Sequence, residues 1–181
     1  MCKRITLLAM MLVFACGLVW AGDAAKAPAA NSHMAQMNEA MLKCYVCKNV
    51  ASKFDEIGPM GMEAVQLNDG VEFRHWAVSN DPKKVAAFHA ACNACSAAGQ
   101  ETVNWTDERA KTDLCEFCQG LRTAAKSGAH ISAGSTEKAD VSIWTSSDPA
   151  VQSQLSGLQK KCEMMASMMK APAAGKASAE K

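Results

Sequence analysis

Apolar positions along the chain fall into helix-like and strand-like stretches that follow one another in a recurring order. Met37, Met41, Cys44, Cys47, Ala51 and Phe54 step by 4, 3, 3, 4 and 3, which places them on one face of an α-helix. Gly58-Pro59 breaks that stretch. Residues 61–67 and 71–79 then flank Asn68-Asp69-Gly70, a hairpin signal because these residue types tolerate positive φ. Asp81-Pro82 opens a second helix, with Asp as its cap and Pro at its first position. Along it Val85, Phe88, Cys92 and Cys95 step by 3, 4 and 3.

The order then returns. Thr106 or Asp107 caps a helix with Leu114, Cys118 and Leu121 on its apolar face and Cys115 beside it. Residues 130–133 and 141–145 make a weaker hairpin around 134–140. Asp148-Pro149 caps the last helix, where Val151, Leu155, Leu158, Cys162, Met165 and Met169 step by 4, 3, 4, 3 and 4. CYVC at 44–47 opens the first round of this order and CEFC at 115–118 opens the second. Ser79-Asn80-Asp81-Pro82 recurs as Ser146-Ser147-Asp148-Pro149, and Cys95 recurs as Cys162 at that same offset. Internal duplication is the simplest account. One hairpin alone is too small to be stable, whereas two joined edge to edge make a sheet that helices can cover. The predicted fold is therefore α+β: duplicated helix–β-hairpin–helix units, spanning 35–98 and 99–170, that form a four-stranded antiparallel sheet covered by four helices with pseudo-twofold symmetry.

Composition adds a compartment. Of 181 residues, 49% are hydrophobic and 20% charged, a globular balance. A net charge of +1 lacks the basic excess that nucleic-acid binding needs. Lys3-Arg4 precede an uncharged run at 5–20, which is short for the roughly 20 residues of a membrane span. Val19-Trp20-Ala21 has the small-residue character of a cleavage site, so 1–21 reads as a secretory signal peptide. A lipoprotein site at Val13 to Cys16 is the alternative, with Phe14 fitting it poorly. Residues 22–34 read as a disordered linker and 171–181, APAAGKASAEK, as a disordered tail. The expected product is periplasmic or secreted, with no membrane span after cleavage. The sequence does not set its oligomeric state.

Cysteine is the outlier, with nine in the whole chain and seven of them after the leader. All seven lie on or beside the predicted helical stripes, which leaves three chemistries open. The first is structural: buried thiols, or disulfides between helices, in a metal-free interaction module with a protein partner. An odd count leaves one thiol over in a monomer.

The second is a soft metal ion. Two thiolates one helical turn apart point the same way, so CxxC facing CxxC makes a four-thiolate set. The candidate ligands are Cys44, Cys47, His89, Cys92, Cys95, Cys115, Cys118 and Cys162. Cys44 and Cys47 are expected to meet Cys92 and Cys95, and Cys115 and Cys118 to meet Cys162, with Gln159 where a fourth ligand would stand. Met164, Met165, Met168 or Met169 would complete a softer set there. Thiolate with thioether favours copper(I), and four thiolates favour zinc.

The third is thiol–disulfide catalysis, which wants its CxxC at a helix N-terminus. Both pairs are predicted to sit further along their helices, which argues against it. Covalent haem is excluded because Lys48, Ser96 and Gln119 occupy the positions where a CxxCH motif needs His. His75, Trp76 and Trp144 read as strand packing. The helical cysteine pairs are loosely similar to those of bacterial copper-storage proteins, from whose all-helical bundles this chain departs in having hairpins. No Ser-His-Asp or paired-carboxylate site follows from the spacing, so the expectation is a non-enzymatic, exported metal-binding protein.

Overall fold

A computed structural model of the chain describes residues 30–170. The leader at 1–21, the alternative at Cys16 and the tail at 171–181 lie outside the described residues. The elements run α1 (Ala30–Lys43), α2 (Lys48–Ala51), α3 (Phe54–Ile57), β1 (Met60–Gln66), β2 (Gly70–Ala77), α4 (Pro82–Thr102), α5 (Asp107–Asp113), α6 (Glu116–Lys126), β3 (His130–Ser135), β4 (Ala139–Thr145) and α7 (Pro149–Lys170). The start of α1 overlaps the expected linker. No helix among the described residues is long and apolar enough to cross a membrane.

The two hairpins form at the expected places and join into a four-stranded antiparallel sheet in the order β1-β2-β4-β3. The junction pairs β2 with β4, from Gly70 opposite Thr145 to Trp76 opposite Ala139. Gly70 is required there, because a Cβ would stand 1.9 Å from the Trp144 carbonyl oxygen. Gly58 closes α3 with φ at +73°, a conformation that only glycine adopts freely.

Both Asp-Pro starts are capped in one way. Asp81 Oδ1 accepts from Lys83 N–H at 2.9 Å, and Asp148 Oδ1 accepts from Ala150 N–H at 2.8 Å. Ser79 and Ser146 hydroxyls accept from the Asp81 and Asp148 N–H groups, each at 3.1 Å.

Helix α7 packs across β1 and β2. Val71, Phe73, Val151, Leu155, Leu158 and Cys162 form that core, with Leu155 and Cys162 fully buried. A second core joins Phe88 and Ala91 of α4 to Val50, Ile57 and Ala77. A third surrounds Cys44 and Cys118 with Val46, Trp105, Ala110 and Leu114.

The helix count corrects the sequence reading: seven helices stand among the described residues where four were predicted. Two predicted helices are broken, the first also at Ser52-Lys53 between α2 and α3, and each has a break at a CxxC. The first lies between α1 and α2, where Tyr45 N–H leaves the helical ladder and donates to the Asp113 carbonyl at 2.8 Å. The second lies at Leu114 and Cys115, whose ψ angles of 141° and 161° are extended. There Gln119 Nε2 donates to the Leu114 carbonyl at 2.8 Å, satisfying a group that the end of α5 leaves open.

Candidate metal centre

The two breaks face each other. Their mutual bond, Tyr45 N–H to Asp113 carbonyl, sets the turn at 44–47 against the turn that leads into α6. Buried Arg122 locks the second side. Its Nε donates to the Thr102 carbonyl at 2.8 Å, its Nη1 to Asp107 at 2.8 Å and its Nη2 to the Trp105 carbonyl. The guanidinium thereby fixes the end of α4 and the start of α5 against α6.

Four sulfurs meet between the turns. The Sγ atoms of Cys44, Cys47, Cys115 and Cys118 all lie within 4.8 Å of one another. Cys47 Sγ is 3.4 Å from Cys118 Sγ and 3.7 Å from Cys115 Sγ. Those lengths test whether a metal fits. A tetrahedral ion with zinc–sulfur bonds of about 2.3 Å separates its ligands by roughly 3.8 Å. A disulfide needs about 2.05 Å. The set is therefore tetrathiolate-sized, and all seven cysteines of the described residues are free thiols.

Apolar and aromatic groups enclose the sulfurs. Cys44 and Cys118 are buried at 2% and 6% exposure, and Cys47 and Cys115 are half-buried. Tyr45 packs on Trp105 at 4.7 Å between ring centroids. The Arg109 guanidinium lies 3.6 Å over the Trp105 ring and Lys48 Nζ lies 4.6 Å over the Tyr45 ring. These two cations stand on the aromatic wall of a site whose metal-bound form carries excess negative charge.

The protons are unequally shared. Cys115 caps α6, and its thiol is held down to about 7, first by the Cys118 side chain and also by Cys47 and the Cys118 backbone, against Cys44 and burial. Hydrogen bonds from Cys115, Cys118 and Cys47 push Cys44 far below the ordinary thiol range. Cys47 and Cys118 are pushed up, each first by its bond to Cys115. Cys44 and Cys115 are thus favoured as acceptors and Cys47 and Cys118 as donors within the group, and a metal ion would displace the protons.

Of the other predicted ligands, Cys95 lies in one core with Cys44 and Cys47 as expected, while Cys92 and Cys162 stand in other cores, which corrects the rest of the expected grouping. Cys95 packs at the edge of the same core, its thiol pushed up to about 11 by burial and then by Cys44 and Cys115. Cys92 belongs to the Phe88 core and is pushed up by burial and then by Asp140. Cys162 is sealed between α7 and the sheet, pushed up to about 11 by burial and then by Glu163. Met164 is 58% exposed and Met165 packs on that same sheet core, while the side chains of Met168 and Met169 lie outside the described residues. Gln159 bonds Glu163 on its own helix. The thiols that meet come one pair from each predicted repeat: the turns at the breaks carry Cys44, Cys47 and Cys115, and the buried face of α6 carries Cys118.

His89 has a different task. Its Nδ1 lies 3.0 and 3.1 Å from the Asp140 carboxylate oxygens, and its Nε2 lies 3.1 Å from the Glu137 carbonyl. Only imidazolium donates at both nitrogens, so the ring latches α4 to the β3–β4 hairpin when protonated. Burial opposes the charge, but the Glu137 carbonyl and Asp140 outweigh it and raise the pKa. The latch stabilises fully below the unfolded-state value of about 6.5 and is lost as pH rises through the raised folded value. In an NMR titration, the His89 ring signals should therefore move above that value, and His89→Gln should remove this part of the pH dependence of stability. A His89 midpoint below about 6.5 contradicts the latch.

Compared with protein-family models, curated proteins and solved structures, the chain matches none.

Proposed function

We propose that this chain is an exported, non-enzymatic protein that binds one zinc ion as a tetrathiolate through Cys44, Cys47, Cys115 and Cys118. The observation that carries the reading is the set of four sulfurs within 4.8 Å, with edges of 3.4 and 3.7 Å. Four thiolates in tetrahedral array suit zinc, whereas copper(I) is favoured by fewer thiolates with thioether help. No methionine belongs to the core that holds these cysteines among the described residues. All four coordination positions are filled by the protein, which is the pattern of a structural site rather than a catalytic one. Bound zinc would tie the α1–α2 joint to the α5–α6 joint, so its binding energy would add to folding. Export rests on the Lys3-Arg4 start, the uncharged run and the Val19-Trp20-Ala21 site. Matching Asp-Pro caps and matching CxxC turns support descent of the two halves from one duplicated unit.

A second reading has one observation behind it. Cys115 sits at the N-cap of α6 with its thiol lowered to about 7, as in thiol–disulfide oxidoreductases. One experiment separates the two. Metal content and alkylatable thiols are measured on protein purified from its native compartment without chelator. Near one zinc per chain, with Cys44, Cys47, Cys115 and Cys118 protected until a chelator is added, is the expected result. A metal-free protein with a readily alkylated Cys115 contradicts it and favours the oxidoreductase.

A further inference from the structure

We infer that the centre has a second covalent state: with the metal withdrawn and a disulfide oxidant present, Cys47 bonds to Cys118 and Cys44 bonds to Cys115. This inference rests on the zinc reading of the same four residues.

The pairing follows from geometry. Both direct sulfur–sulfur contacts run between the turns, and Cys47 to Cys118 is the shorter at 3.4 Å against 3.7 Å for Cys47 to Cys115. Closing that pair leaves Cys44 with Cys115, whose Sγ atoms lie within 4.8 Å of each other. A bond needs the sulfurs to approach to about 2.05 Å. Neither Cys47 nor Cys115 lies within a helical span, so the approach needs no helix to unwind. The oxidising space outside the cytoplasm makes this state relevant, because four thiols left without metal would not persist there.

Each bond forms by two exchanges. Cys47 gives its proton to solvent and attacks one sulfur of a small-molecule disulfide, forming a mixed disulfide and releasing one thiolate. Cys118 then gives up its proton and attacks the Cys47 sulfur, forming the protein disulfide and releasing the second thiolate. Two electrons leave the protein and reduce one oxidant disulfide to two thiols. Cys44 and Cys115 consume a second oxidant molecule in the same way. The zinc leaves as the divalent ion, with no change of oxidation state. Both states tie the same joints together, one through the ion and the other through sulfur bonds. Cys92 and Cys162 remain thiols in both, since they lie in other cores, and Cys95, at the edge of this core, remains one because it stands outside the group of four.

Tryptic digestion reads the pairing directly. Cleavage after Lys43, Lys48, Lys111 and Arg122 isolates CYVCK and TDLCEFCQGLR. The zinc-loaded full chain is treated with oxidised glutathione, with and without EDTA, then alkylated, digested without reductant and analysed by mass spectrometry. With EDTA, the two peptides should appear as one doubly linked pair, and fragmentation should place Cys47 on Cys118. Without EDTA, they should appear separately with all four cysteines alkylated on denaturation. Two separate peptides, each bridged within its own CxxC, would overturn the inference while leaving the zinc reading intact. So would unbridged peptides, or linkage of Cys47 to Cys115. A linked pair that forms equally without EDTA would instead overturn zinc protection while the pairing stands.

Discussion

Replacing Cys118 by serine is expected to weaken zinc binding roughly 100-fold. Cys118 is 6% exposed and makes the shorter of the two direct sulfur contacts, and Cys95, the other thiol of that core, stands outside the group of four. A structural zinc site contributes on the order of 12 kcal/mol, and one ligand in four corresponds to about 3 kcal/mol, or roughly 100-fold in affinity. Competition with a chromophoric chelator measures this. The loss should carry into folding, because the ion joins two turns that lie far apart in the sequence, one before the first hairpin and one after α5. Cys162→Ala is the control. It removes an equally buried thiol from the α7–sheet core, so it should lower stability and leave zinc stoichiometry near one. Equal loss of zinc in both variants would mean that the effect is general unfolding rather than loss of a ligand.

The second large effect is expected at Leu155. This side chain is fully buried where α7 crosses the sheet, among Phe73, Val151 and Leu158. Truncation to alanine removes its transfer energy and leaves a cavity that the strands are too constrained to fill. The cost should be about 3 kcal/mol, read as a lower urea midpoint with an unchanged slope. Zinc content per folded chain should not move, since Leu155 belongs to a different core from the four cysteines. A cost below about 1 kcal/mol would contradict the placement of α7 as the cover of β1 and β2.

Much of the framework was legible in local chemistry. Asn68-Asp69-Gly70 marked the first hairpin, and Asp81-Pro82 and Asp148-Pro149 marked the starts of α4 and α7, because turns and caps depend on a few neighbouring residues. The four cysteines of the centre were legible as candidates, but their grouping was not. Helical periodicity runs unbroken through Cys44 and Cys47, and what interrupts it is the bond from Tyr45 to Asp113, a residue beyond the whole first hairpin and α4. No local pattern reports such a bond. A signal was nonetheless present, because two CxxC pairs are the familiar ligand spacing of zinc sites, which hold them in turns. The long stretch between Cys47 and Cys115, which carries a hairpin and four helices of its own, hid that likeness. Cys92, Cys95 and Cys162 entered the candidate set through the same stripes as the other four. For Cys92 and Cys162 those stripes turned out to describe packing, with Cys92 beside Phe88 and Cys162 beside Leu155.

The most direct test of the central claim is X-ray absorption at the zinc edge on the metal-loaded chain. The account predicts a first shell of four sulfurs at about 2.3 Å with no lighter scatterer. A shell containing nitrogen or oxygen at about 2.0 Å would contradict it, because it would put histidine, carboxylate or water in a position that Cys44, Cys47, Cys115 and Cys118 already fill.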